Sequence, residues 1–342
     1  MSGPAVPIEL TIDVTEAVGL GEPHHTCAVV VLPDPSALGA VPVVCFGFPG
    51  AGYSRGYYTF DMPGSSHGGE AGWHAARGWI YVGCDHLGVG GSSAPSDPLA
   101  ATFEVMAAAN HATVTEVLRR LADGSLADGF PPVLDPVVLG AGQSTGGCFT
   151  VVQQGQHATF DGIAVLGFSA IQMVDLMPPG AEDLGTTFFP RNTFTPVSTP
   201  GATFDPASLA AVDESGLPAI ADVFHFDDVP REIVERDLVD YPERRGGLPE
   251  WASATIPAAA LFLRTPGVIM AEAAVITAPV FVGVGERDLI PNPREEPRAY
   301  QRSPDVMVCI CPRMAHMHNF AGTRERFWQR LHHWGDGVAA SR

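Results

Sequence analysis

The pentapeptide Gly142-Gln143-Ser144-Thr145-Gly146 is the stretch of this 342-residue chain whose residue types and spacing point most directly to chemistry. A serine hydroxyl is a weak nucleophile. It becomes effective when a nearby base takes its proton and when the backbone lifts it clear of its surroundings. The G-x-S-x-G spacing supplies the lift, because small residues on both sides permit a very sharp turn. An apolar run, Val137 to Gly140, leads in, and Gly146-Gly147 followed by CFTVVQQ leads out as a helix. This strand–turn–helix context marks Ser144 as a candidate nucleophile, with a helix N-terminus beneath any negative charge that develops.

Other chemistries find little support. All 19 basic residues are Arg, and the absence of Lys removes Schiff-base and phosphate-loop lysines. A net charge of −19 argues against nucleic acid and against an anionic membrane surface as partners. It suits an enzyme with a neutral small-molecule substrate, and a homo-oligomer is compatible with it. His24, His25, His67, His74, His111, His157 and His225 are scattered without metal-ligand spacing, and there is no HExxH or CxxC. No metal and no cofactor are therefore expected. The N-terminus lacks a basic region followed by an apolar stretch, and no apolar run reaches membrane-spanning length. Five of the six cysteines lie in or beside apolar runs, so a reduced, cytoplasmic protein is expected.

Apolar runs that could position such a site recur along the chain. Ile8 to Val14, Cys27 to Leu32, Val41 to Phe48, Trp79 to Cys84, Val137 to Gly140, Ile163 to Gly167, Ala278 to Val284 and Asp305 to Cys311 read as strands. Leu99 to Leu121 and Arg324 to Trp334 carry helical spacing. Strands that are apolar throughout and alternate with helices imply a mostly parallel sheet covered on both faces. The rhythm breaks between residues 174 and 268, where Pro, Phe, Thr and acidic residues dominate. That stretch reads as a cap inserted into an α/β core formed by 1–173 and 269–342. Its runs PAAALFL and GVIMAEAAVI are too apolar to stay in water.

Outside the cap, the chain resembles the α/β-hydrolase family. The loop Gly47-Phe48-Pro49-Gly50-Ala51-Gly52-Tyr53 sits where that family has its oxyanion loop, with Pro49-Gly50 in place of His-Gly. Asp85-His86-Leu87-Gly88-Val89-Gly90-Gly91-Ser92 looks like the family's D-x-x-G-x-G-x-S turn. The resemblance implies an acid at Asp288, in the loop after PVFVGVG, with Glu286 the weaker candidate. It implies a general base at His316, with His318 the alternative, in the loop after VMVCIC. The order Ser, Asp, His agrees with the fold. The oxyanion donors would be the amides of Thr145 and Ala51, with Phe48 as the alternative. Tyr53, Gln143 and His86 are candidates for contact with substrate.

The resemblance thus implies a serine hydrolase. The expected reaction is cleavage of a carboxylic ester, lactones included, of a largely apolar substrate through an acyl-enzyme. The same residues could serve acyl transfer to an alcohol or amine, or carbon–carbon bond hydrolysis. A non-catalytic ligand-binding scaffold is the rival from another class.

Overall fold

Eight of the strands form one sheet in the computed structural model, which describes residues 7–173, 187–188, 191–192, 197–198, 217–218, 220–238, 241 and 247–342. In chain order the strands are β1 (Ile8–Asp13), β2 (His25–Val31), β3 (Val43–Phe48), β4 (Ile80–Cys84), β5 (Val137–Gln143) and β6 (Gly162–Leu166). They continue with the short β7 (Thr187–Phe188) and β8 (Val197–Ser198), then β9 (Val280–Gly285) and β10 (Val306–Cys311). The large sheet runs β1-β2-β4-β3-β5-β6-β9-β10. Its β1–β2 and β2–β4 pairs are antiparallel, and the remaining pairs are parallel.

The burial pattern follows from this order. Every residue of β3, β4, β5, β6 and β9 is buried, as expected for strands covered on both faces. The edge strands differ: β1 alternates and β10 is mostly half-buried. Along β3, Val44, Phe46 and Phe48 belong to one apolar core, and Val43 and Cys45 to the other. Helices α1 (Thr15–Val18), α3 (Phe103–Ala122), α4 (Thr145–His157) and α7 (Met270–Val275) supply the first core. Helices α2 (Gly69–Ala75) and α8 (Arg324–Ala340) supply the second.

Both long helices differ in extent from the sequence reading. Helix α3 starts at Phe103, because the Thr102 side chain caps it by accepting from Val105 N; Pro98–Ala100 forms a separate 3-10 turn. Helix α8 continues six residues beyond Trp334 despite Gly335. A Cβ there would run into the Trp79 ring, so glycine at this position serves close packing rather than helix termination. Of the stretch 174–268, the described part includes α5 (Ala221–Phe224), α6 (Arg231–Leu238) and a 3-10 segment over Ala258–Arg264.

Candidate active site

Strand β5 ends at Gln143 and α4 begins at Thr145, so Ser144 alone makes the turn. It does so at φ 52 and ψ −118, a conformation costly for a residue with a Cβ, roughly 1–3 kcal/mol. The Ser144 amide is anchored by donation to Leu166 O at 2.7 Å. A Cβ on Gly142 would strike the Gly146 carbonyl, and one on Gly146 would strike the Phe48 carbonyl. The small flanking residues are therefore a steric requirement of the turn.

Asp288 and His316 meet from the loops after β9 and β10. His316 Nδ1 lies 2.7 Å from Asp288 Oδ1. A carboxylate only accepts, so the ring proton sits on Nδ1 and Nε2 is left as an acceptor. Asp288 is fixed by amide donors of its own: Leu289 N to Oδ1 at 2.7 Å and Gly285 N to Oδ2 at 2.9 Å. Both side chains are almost fully buried. Gln143 Nε2 approaches His316 O at 3.3 Å and His316 Nε2 at 3.4 Å, bracing the ring from β5.

The two weaker candidates are engaged elsewhere. Glu286 accepts from the Arg313 amide at 2.8 Å. His318 points into the core, with Nε2 3.0 Å from Glu70 Oε2 and Nδ1 3.3 Å from the Tyr57 hydroxyl. Burial alone would raise the Glu70 carboxyl, but His318 and His74 beside it hold it down at about 2. His318 thus ties the loop carrying His316 to α2.

Ser144 and His316 line a single cavity of about 460 Å³. Gly50, Ala51 and Thr145 line it too, and the amides of Gly50 and Ala51 donate to no described residue. Thr145 occupies the first position of α4, where the amide has no partner within the helix. Phe48 is not at the cavity. It is the last residue of β3, fully buried, with its ring stacked on His86 at 5.8 Å. Of the substrate-contact candidates, Tyr53 and Gln143 line the cavity, whereas His86 lies behind it. His86 Nε2 is 3.0 Å from the Pro49 carbonyl, and Asn110 Nδ2 approaches Nδ1 at 3.2 Å. Burial depresses its pKa to about 4, so the ring is neutral and holds the loop after β3 from below. Asp85 fixes the far side of that loop by accepting from Arg55 N at 2.6 Å and from Gly91 N at 2.9 Å.

The rest of the cavity wall was not legible as a site. Met173, Ile220, Phe224, Tyr241, the segment around Ile256–Leu263 and Leu289 complete it. Only the apolar PAAALFL run carried a signal. Among the described lining residues there is no Arg, Asp or Glu. No group of three or more His, Cys, Asp or Glu side chains among the described residues is placed to hold a metal ion.

No protein-family model matches the chain, and no curated protein sequence matches it. Solved structures match its shape along nearly the whole length. The peroxisomal α/β-hydrolase Lpx1 of Saccharomyces cerevisiae aligns with a TM-score of 0.56 at 12% identity, covering 98% of this chain and 88% of that one. This chain has the α/β-hydrolase fold. A proline iminopeptidase of Mycobacterium smegmatis aligns at TM-score 0.57 and 17% identity, over 97% of this chain and 99% of that one. A thermophilic esterase of Thermogutta terrifontis aligns at 0.55 and 15%, over 96% and 99%. At such identities the likeness is one of fold. Among the described residues, no helix is long and apolar enough to cross a membrane.

Proposed function

We propose that this protein is a serine hydrolase that cleaves a carboxylic ester of an uncharged, largely apolar substrate through an acyl-enzyme. One observation carries the reading. Ser144, at a strained strand-to-helix turn, and His316, which is paired with Asp288, line the same apolar cavity. His316 Nε2 takes the Ser144 proton as the hydroxyl attacks the carbonyl. Asp288 holds the Nδ1 tautomer and stabilises the imidazolium that forms. The oxyanion is received by the amides of Thr145 and Ala51, at the start of α4 and in the loop after β3. His316 then returns the proton to the leaving alcohol, and water attacks the acyl-enzyme by the same route.

The wall favours the substrate class. Aliphatic and aromatic side chains dominate it, and the described lining residues offer no Arg, Asp or Glu as partner for an ionised acid or amine. The Thermogutta neighbour is named an esterase and supports the same reaction class. The test is labelling by a fluorophosphonate probe, combined with turnover of p-nitrophenyl esters of graded acyl length. Stoichiometric labelling at Ser144 with ester turnover is the expected result. No labelling and no turnover by the folded protein would overturn it.

A further inference from the structure

Asp237 on α6 is fully buried and is approached by three described side-chain donors. Tyr53 Oη donates to Oδ2 at 2.7 Å, His225 Nε2 reaches Oδ2 at 2.9 Å, and Trp251 Nε1 donates to Oδ1 at 2.7 Å. Taking a carboxylate out of water costs several kcal/mol, and an apolar side chain of similar volume often serves stability as well or better. What distinguishes this carboxylate is where its three donors are attached.

Tyr53 belongs to the loop that carries Gly50 and Ala51, and its amide donates to Gly50 O at 3.1 Å. Trp251 lies against the same loop: its carbonyl accepts from Ser54 N at 2.9 Å, and the next residues pair with it through Tyr53–Ala252 and Ser253 N to Gly52 O. His225 leads to the other two loops. The carbonyls of the preceding Val223 and Phe224 accept from His316 N at 2.9 Å and Met317 N at 3.0 Å. The His225 carbonyl accepts from Arg287 Nη2 at 3.0 Å, one residue before Asp288. One buried carboxylate is thus the junction between the oxyanion loop and the loops that present base and acid.

We propose that Asp237 is a positioning residue for catalysis, setting the distance between the Gly50–Ala51 amides and His316. This rests on the serine hydrolase reading above. A displacement of about 1 Å in such a constellation costs on the order of a hundredfold in rate. The side chain itself touches no reacting group, so its removal acts on the transition state more than on substrate binding.

Three variants test it: Tyr53→Phe, Trp251→Phe and Asp237→Asn. Tyr53→Phe deletes one hydroxyl on the Asp237 side and leaves the ring against the cavity. All three should lower kcat by about ten- to a hundredfold with KM changed less than about threefold. Affinity for a boronic acid, which mimics the tetrahedral intermediate, should fall in parallel with kcat/KM. Ile233→Val trims the buried face of the same helix without touching these bonds, and should lower Tm while leaving kcat unchanged. If Asp237→Asn does not fold, Tyr53→Phe and Trp251→Phe carry the test. Wild-type kcat and boronate affinity in Tyr53→Phe and Trp251→Phe would overturn the proposal, as would losses confined to Tm. Ser144→Ala separates the two readings. If it is inactive while the Tyr53 and Trp251 variants turn over normally, the positioning role fails alone. If it retains activity, the serine hydrolase reading fails.

Discussion

His316 and Asp288 are held together at 2.7 Å although neither side chain is placed by a helix or a strand. Each sits on a loop at the carboxyl edge of the sheet, and each loop is fixed by backbone bonds to its neighbours. The arrangement makes the two residues unequal in their expected mutational cost.

Replacing Asp288 by Asn keeps the shape but donates where the carboxylate accepted, so Nδ1 loses its proton and Nε2 gains one. Turnover should fall by about 10⁴. Glu286→Gln, whose partner is the Arg313 amide, should change kcat less than tenfold. Steady-state kinetics on one activated ester compares them, and the reverse ranking would move the acid to Glu286.

Ser144→Ala removes the attacking oxygen and should cost about 10⁶ in kcat with the fold retained. Circular dichroism alongside the rate assay checks both halves. Substantial esterase activity in the folded variant would reject Ser144 as nucleophile.

His316→Ala should abolish acylation, measured as the burst of p-nitrophenol. His318→Ala should instead destabilise, by about 1–3 kcal/mol, because Glu70 loses one buried partner and keeps Asn319 Nδ2 at 2.9 Å, and turnover should survive at low temperature. Urea unfolding and burst amplitude together distinguish the two variants. A dead but stable His318 variant would reassign the base.

Stability should fall on acidification in two stages. His86 is depressed to about 4 from an ordinary 6.5, so its contribution is fully present above 6.5 and is lost as the pH falls toward 4. His332, lowered to about 4 chiefly by burial, adds to the same window. Glu70, depressed from 4.5 to about 2, contributes above 4.5 and loses that contribution below it. Calorimetric Tm between pH 8 and 4 should show a smaller slope in His86→Phe than in the parent. Equal slopes would mean that His86 titrates normally.

Ala260→Phe should fill the cavity and reduce hexanoate and octanoate ester turnover at least tenfold more than acetate turnover. A succinate half-ester should be a poor substrate beside butyrate, since the described lining residues offer a carboxylate no cationic partner to offset its desolvation. Unchanged chain-length preference would place the acyl group elsewhere.

Legibility in the sequence tracked how local each signal is. The elbow was readable because its steric demand falls on residues within two positions of Ser144, and the strands were readable because both faces are covered. The choice between His316 and His318 was not, since both follow β10 in one loop. Glu70, 248 residues earlier than His318, separates them. His86 was considered as a substrate contact, but its burial behind Pro49 depends on how β3 and β4 lie side by side. Asp237 carries no signal in the sequence. Its link to Tyr53 spans 184 residues and leaves no periodicity or motif in either segment.

The backbone of Ser144 carries a consequence of another kind. At φ 52 and ψ −118 a glycine would be relieved of the strain that a Cβ imposes. Durability and turnover therefore prefer different residues at this one position. Random substitutions selected only for heat resistance should accumulate glycine at 144, and the survivors should be inert. On the serine hydrolase reading, Ser144 is kept in this backbone by selection for rate, against a constant pull toward a more stable, silent protein.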